Sequence, residues 1–288
     1  WIRLFCSELG RLNNEFLGYF VFIVGPINVL VNCLVMFILT RKELRSTYNI
    51  VFFVMALDQT IVMGGLVATV FKTIFTVECN PQSFPLFWVY YDIVYSSIIL
   101  IFRAHSTWLA VIIALMRLMS IRSNGASELH VNRALQLCAA TLLFVTLANT
   151  PNFFTNTVDW VPLHYVCDAD ENGDVLIPIT AESPNVMEND CLMLRLSCFL
   201  TGTLHNALPC ILLMILTITL LAFLRKVRPS TILEPQFNFR SQDSDRTTTL
   251  MIFVMISTTI TEIPLACLSL LEGFLTAKSR DEILSRIS

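Results

Sequence analysis

Six stretches of this chain are long enough to cross a bilayer and almost free of charge, and no other feature constrains the fold as strongly. Leu17 to Thr40 has no charged residue, and Thr47 to Phe71 has only Asp58. Trp88 to Met116 is interrupted by Asp92 and Arg103, Ala134 to Val158 by nothing, Leu196 to Leu224 by His205 alone, and Thr247 to Leu271 by Glu262. Each reaches the roughly 20 apolar residues that cross about 30 Å of hydrocarbon. In lipid the backbone must pair within its own segment, so each window is expected to be a helix. The expected fold is an all-α, polytopic transmembrane bundle over residues 1–272. Its helices lie near 17–40, 47–71, 88–116, 134–156, 192–224 and 247–271.

Composition agrees: 55% of the 288 residues are hydrophobic and 14% are charged, well below the ~25% of a soluble domain. A net charge of −3 gives no basic surface for a nucleic acid. Nothing before Leu17 reads as a cleavable signal peptide.

Orientation follows from the basic residues of the connecting segments. The 41–46, 117–133 and 225–246 segments hold eleven of the nineteen Lys and Arg, which places them in the cytoplasm and the N-terminus outside. The segment after the fourth window is different. Asp159, Asp168, Asp170, Glu171, Asp174, Glu182, Glu188 and Asp190 crowd it, without one Lys or Arg. It is a solubilising loop or an electrostatic funnel that gathers a cationic ligand at a cavity mouth. Apolar and Pro residues around Val175 to Thr180 suggest a short hairpin there.

Ionisable residues inside the windows are the informative ones, because each is expensive at the bilayer centre unless it faces the bundle. Asp58 is midway along the second window. At about 1.5 Å per residue, Arg103 lies roughly 21 Å from Arg117 at the cytoplasmic end, with His105 just below it. Glu262 is two residues before Pro264, which frees a carbonyl and permits a kink. Arg103 and Glu262 either neutralise each other or meet a ligand. Cys33, Cys138, Cys198, Cys210 and Cys267 fall in the windows as small apolar residues. Cys6, Cys79, Cys167 and Cys191 fall outside, and the sequence leaves their three possible pairings open.

These features resemble a rhodopsin-like G-protein-coupled receptor, and more closely the nematode serpentine receptor class W, which is similar to FMRFamide-like and myosuppressin-type peptide receptors. Asn32 precedes Leu39-Thr40-Arg41, and Met55-Ala56-Leu57-Asp58 resembles the family's second-helix motif. His105-Ser106-Thr107-Trp108-Leu109 and Ala114-Leu115-Met116-Arg117 resemble the third helix. Thr150-Pro151-Asn152-Phe153-Phe154 resembles the top of the fourth, and Leu208-Pro209-Cys210-Ile211-Leu212 the fifth. Asp245-Arg246-Thr247-Thr248-Thr249 and Thr261-Glu262-Ile263-Pro264 are the most specific matches. The resemblance covers roughly residues 17–272.

It implies a receptor for an extracellular ligand, most closely an FMRFamide-like neuropeptide, in the plasma membrane. Arg103, His105, Glu262 and Asp92 are the expected ligand contacts. Arg117, Arg122, Arg225 and Arg246 would face a heterotrimeric G protein, and Asn32, Asp58 and Ser106 would form a polar network inside the bundle. Asp58 and Ser106 match the family's sodium-pocket positions. Cys79 stands in for the cysteine usually found at the start of helix three, with Cys167 as its expected partner and Cys191 as the competitor.

Three departures stand out. Met116 occupies the place of an acidic residue, Glu262 that of a tryptophan, and after Leu271 the charged residues 273–288 read as an extracellular loop remnant with no seventh helix. No cofactor or metal-ligand spacing appears, and no nucleophile–base set that an enzyme needs. The alternatives are a chemosensory receptor for a non-peptide cue or a transporter, although inverted repeats and glycine-interrupted helices are not visible.

Overall fold

The computed structural model describes residues 2–41, 46–75, 85–122, 131–162, 176–184 and 192–227, with Ile256, Ile260 and Ile263 beyond them. Helices α1 (Ile2–Leu39), α2 (Thr47–Phe75), α3 (Leu86–Arg122) and α4 (Val131–Ala148) follow the first four apolar windows. The fifth span is α-helical over Leu192–Phe199, a π-helix over Leu200–Ala207 and α-helical again over Leu208–Val227. Five stretches among the described residues are long and apolar enough to cross a membrane: Val21–Leu39, Thr47–Lys72, Leu86–Arg122, Val131–Ala148 and Leu196–Phe223. The chain is an all-α polytopic bundle carrying one small hairpin. The expected helix at 247–271 lies outside the described residues except for Ile256, Ile260 and Ile263, which are helical and exposed.

Two helices differ from their expected form. The first helix continues back to Ile2, although its membrane-compatible part begins only at Val21. The fifth is not uniformly α-helical, for a reason that begins at Pro209. Proline has no N–H to give the carbonyl four residues earlier and its ring crowds that position. Just before it the ladder has slipped to the wider pattern, with the Leu208 N–H bonding the Thr203 carbonyl.

Many threonine hydroxyls in the spans are satisfied within their own helix, as suits a lipid setting. Thr60, Thr69, Thr107, Thr141, Thr146, Thr217 and Thr219 each donate a hydroxyl to the carbonyl four residues back. Leu30, Leu34 and Phe37 on α1, and Ile211, Ile215 and Ile218 on the fifth span, face outward, as lipid contact requires.

Helix α3 is the axis of the bundle. It packs against α2, α4, the fifth span and the hairpin, whereas α1 lies on α2. Ala110, Val111 and Ala114 of α3 meet Leu213, Leu216 and Leu220 of the fifth span. On another side, Leu109, Ile113 and Met116 meet Val51 of α2 and Ala134 and Cys138 of α4. Pro151 ends α4 in a 3₁₀ turn over Thr150–Phe154. The chain then enters β1 (Asn156–Pro162), which pairs antiparallel with β2 (Leu176–Glu182) from Asn156↔Glu182 to Pro162↔Leu176. The hairpin expected around Val175–Thr180 therefore forms, with Ile177 and Pro178 buried and both strands resting on α3.

Candidate functional site

The α2–α3 seam is zipped by side chains along its whole length. Near the expected cytoplasmic end, the Tyr48 hydroxyl reaches the Met116 carbonyl at 3.4 Å. The Arg117 guanidinium lies 5.5 Å from the centre of the Tyr48 ring, a cation–π contact. At mid-depth, Asp58 Oδ2 is 2.8 Å from His105 Nδ1, and His105 Nε2 is 3.1 Å from the Cys138 carbonyl of α4. Both side chains are sealed, with 2% of Asp58 and 1% of His105 exposed. One residue along each helix, Gln59 Nε2 donates to Ser106 Oγ at 3.3 Å.

Further out, Tyr91 and Tyr95 stack with centroids 5.4 Å apart and donate to the Gly65 and Val62 carbonyls of α2. Gly65 is glycine for a steric reason: a Cβ there would lie 1.9 Å from Tyr95 Cε2. The seam ends in an ion pair between Lys72 and Asp92.

Where α3, the top of α4 and the fifth span converge, a second polar group gathers. Asn149, completely buried, reaches the Ser97 carbonyl at 3.5 Å. Asn152 donates to Asn149 Oδ1 and to Thr201 Oγ1, and accepts from Ser197 Oγ. Ser197, Thr201 and His205 follow one another at intervals of four. In an α-helix such a series drifts by about 40° per step, since four residues exceed one 3.6-residue turn. The π segment over Leu200–Ala207 winds more loosely, so the rotation of His205 relative to Ser197 and Thr201 differs from that of a continuous α-helix. His205 is 2% exposed, yet among the described residues neither ring nitrogen has a hydrogen-bond partner, and the same holds for Trp108 Nε1 of α3. Unmet hydrogen-bonding capacity of this kind is rare in a folded interior.

A family model described as "Serpentine type 7TM GPCR chemoreceptor Srw" matches residues 19–288. The chain belongs to the Srw family. A further likeness is to the G-protein coupled receptor dmsr-1 of Caenorhabditis elegans, 29% identical over 224 residues. That match covers 75% of this chain and 43% of the C. elegans receptor, so the chain spans less than half the length of that relative.

In this Srw chain, the residues expected at the site fall into several places. Asp58 and Ser106 are brought together with His105 in the seam. Asn32 is not: its amide turns back to Asn28, 2.7 Å to Oδ1 and 3.1 Å to the carbonyl. Of the expected ligand contacts, His105 is enclosed by Asp58 and Cys138, while Asp92 is paired with Lys72. Arg103 is half-buried on α3. Arg117 is half-buried against Tyr48, and Arg122 is exposed at the end of α3. Arg225 falls within the last helical stretch of the fifth span. Glu262, Arg246, Cys79 and Cys167 lie outside the described residues.

Sequence reasoning missed Gln59, Lys72, Tyr91, Tyr95, Asn149, Asn152 and His205 as partners. For Lys72 a signal existed, because the antiparallel register that sets Asp58 beside His105 also brings Lys72 to Asp92. For His205 the signal was the four-residue polar series ending four residues before Pro209.

Proposed function

We propose that this Srw receptor responds to an extracellular neuropeptide of the FMRFamide-like type and passes the signal to a heterotrimeric G protein at the plasma membrane. One observation carries the peptide reading: the loop leading from β1 through β2 to the fifth span has eight acidic residues and no Lys or Arg. A cationic peptide is attracted to such a field, and its basic end is then delivered towards the bundle. The Asp245-Arg246-Thr247-Thr248 and Thr261-Glu262-Ile263-Pro264 resemblance supports the same ligand class.

In this reading the N-terminus and hairpin are extracellular, and Arg103 and Glu262 meet the ligand. Glu262 pairs with a guanidinium through two oxygens. Arg117, Arg122, Arg225 and Arg246 face the G protein. A ligand that prefers one packing of α3 against the fifth span and the 247–271 segment shifts the population towards it.

The family description names chemoreceptors, which favours a non-peptide cue as the second reading. A G-protein activation assay on the full receptor separates the two. It compares an amidated Arg-Phe peptide, its Gln-Phe analogue and a panel of small polar odorants. The peptide should activate, the analogue should be at least about tenfold weaker, and Glu262→Gln should reduce peptide affinity by about 1–3 kcal/mol at unchanged surface expression. Activation by odorants with silence towards both peptides would replace the peptide reading with the second.

A further inference from the structure

We propose that His105 is a built-in counter-charge for Asp58, standing where a monovalent cation would otherwise sit, so that this junction of α2, α3 and α4 needs no ion from solution. The argument begins with hydrogens. The Cys138 carbonyl can only accept, so His105 Nε2, 3.1 Å away, carries a hydrogen. The 2.8 Å contact between His105 Nδ1 and Asp58 Oδ2 requires one more hydrogen between those two atoms. Whether that hydrogen rests on the imidazole or on the carboxyl group, the pair carries no net charge.

A sodium ion placed on Asp58 would meet three obstacles. It would leave a pocket with 1–2% exposure carrying a net positive charge, unless the shared proton left first. It would have to displace the imidazole from Oδ2, breaking a contact that is anchored at its other end to α4. It would also find the neighbouring Ser106 oxygen already facing an amide hydrogen of Gln59, at 3.3 Å. Asp58 Oδ2 and Ser106 Oγ, two of the oxygens that could receive the ion, are therefore held by nitrogen donors of the protein itself. Asp58 and Ser106 alone resemble a sodium pocket; His105 and Gln59 reverse that reading.

The test is thermal unfolding of the receptor in lipid nanodiscs without ligand, in sodium chloride against choline chloride at equal ionic strength. The wild-type midpoint should agree between the two salts to about 1 °C. In His105→Ala, and in His105→Gln as the milder variant, the carboxylate loses its partner. Sodium should then raise the midpoint by about 3 °C or more through binding to the folded state. Adding Asp58→Asn to either variant should abolish that gain. A purely structural role for His105 predicts a lower midpoint with no salt specificity. Sodium stabilisation of the wild type that Asp58→Asn removes would overturn the proposal, as would folded His105 variants indifferent to sodium. Should neither variant survive extraction, nitrogen-15 spectra of histidine-labelled wild type decide the matter. Imidazole signals identical in both salts support the proposal, and a sodium-induced shift that Asp58→Asn abolishes refutes it.

Discussion

Two buried histidines on either side of α3 show how differently the same side chain can be used. His105, in the α2–α3 seam, has both ring nitrogens engaged by groups on two neighbouring helices. His205, in the seam with the fifth span, is as deeply buried and has neither engaged among the described residues. The first seam is also closed by Tyr–carbonyl bonds, a Gln–Ser pair and an ion pair. The second is a packing of Ala, Val and Leu below His205 and an Asn–Ser–Thr cluster above it. One seam engages both nitrogens of its histidine, and the other, among the described residues, holds two in reserve. Reserve of that kind costs stability and is suited to recognising a polar group supplied from elsewhere.

The sharpest way to break this comparison is the Asp58–His105 pair. Removing one member leaves a buried polar group without its partner, so His105→Ala should cost about 3–5 kcal/mol of stability. The double change Asp58→Leu with His105→Leu should cost less than either single truncation, because no orphan remains. Unfolding of the four proteins in one mild detergent gives the coupling, and strictly additive costs would mean the pair is not a unit.

A smaller effect is expected at Gly65. A Cβ there runs into the Tyr95 ring, so Gly65→Ala should destabilise by about 1–3 kcal/mol, and Tyr95→Ala in the same chain should relieve the clash. Thermal midpoints of the two single variants and the double variant check this, and a harmless Gly65→Ala would show that the seam is looser than its contacts indicate.

The smallest effect on stability, and the most telling on function, belongs to His205. Replacing it by Leu removes two nitrogens that have no partner among the described residues, so stability should be unchanged or should rise by about 1 kcal/mol. Agonist potency in the activation assay should nevertheless fall at least about tenfold. A loss of stability equal to that of His105→Ala would place both histidines in the same structural role.

Much of the molecule was legible before any coordinates. Apolar length dictated where the first five spans lie, because unpaired backbone is not tolerated in lipid. Charge marked Asp58 and His105 as residues needing interior partners, and the alternating Ile, Val and Pro around Val175 to Thr180 pointed to the hairpin. The partners within the bundle were not legible in the same way. His105 and Asp92 were grouped with Arg103 and Glu262 as ligand contacts, whereas the first is enclosed by Asp58 and Cys138 and the second pairs with Lys72. A sequence shows that a buried charge must be neutralised, but not which neighbouring helix does it.

That division has a single physical origin. Hydrophobicity, helix length and the bias of Lys and Arg are properties of residues along one chain, so the sequence by itself determined a polytopic helical membrane bundle with a polar interior. Pairing depends on the rotation and offset of each helix against its neighbours. Those are decided by close contacts such as Tyr95 over Gly65, and by the π segment ahead of Pro209 that resets the rotation of His205. Only the tertiary structure could decide that one buried histidine answers a carboxylate while the other meets no hydrogen-bond partner among the described residues.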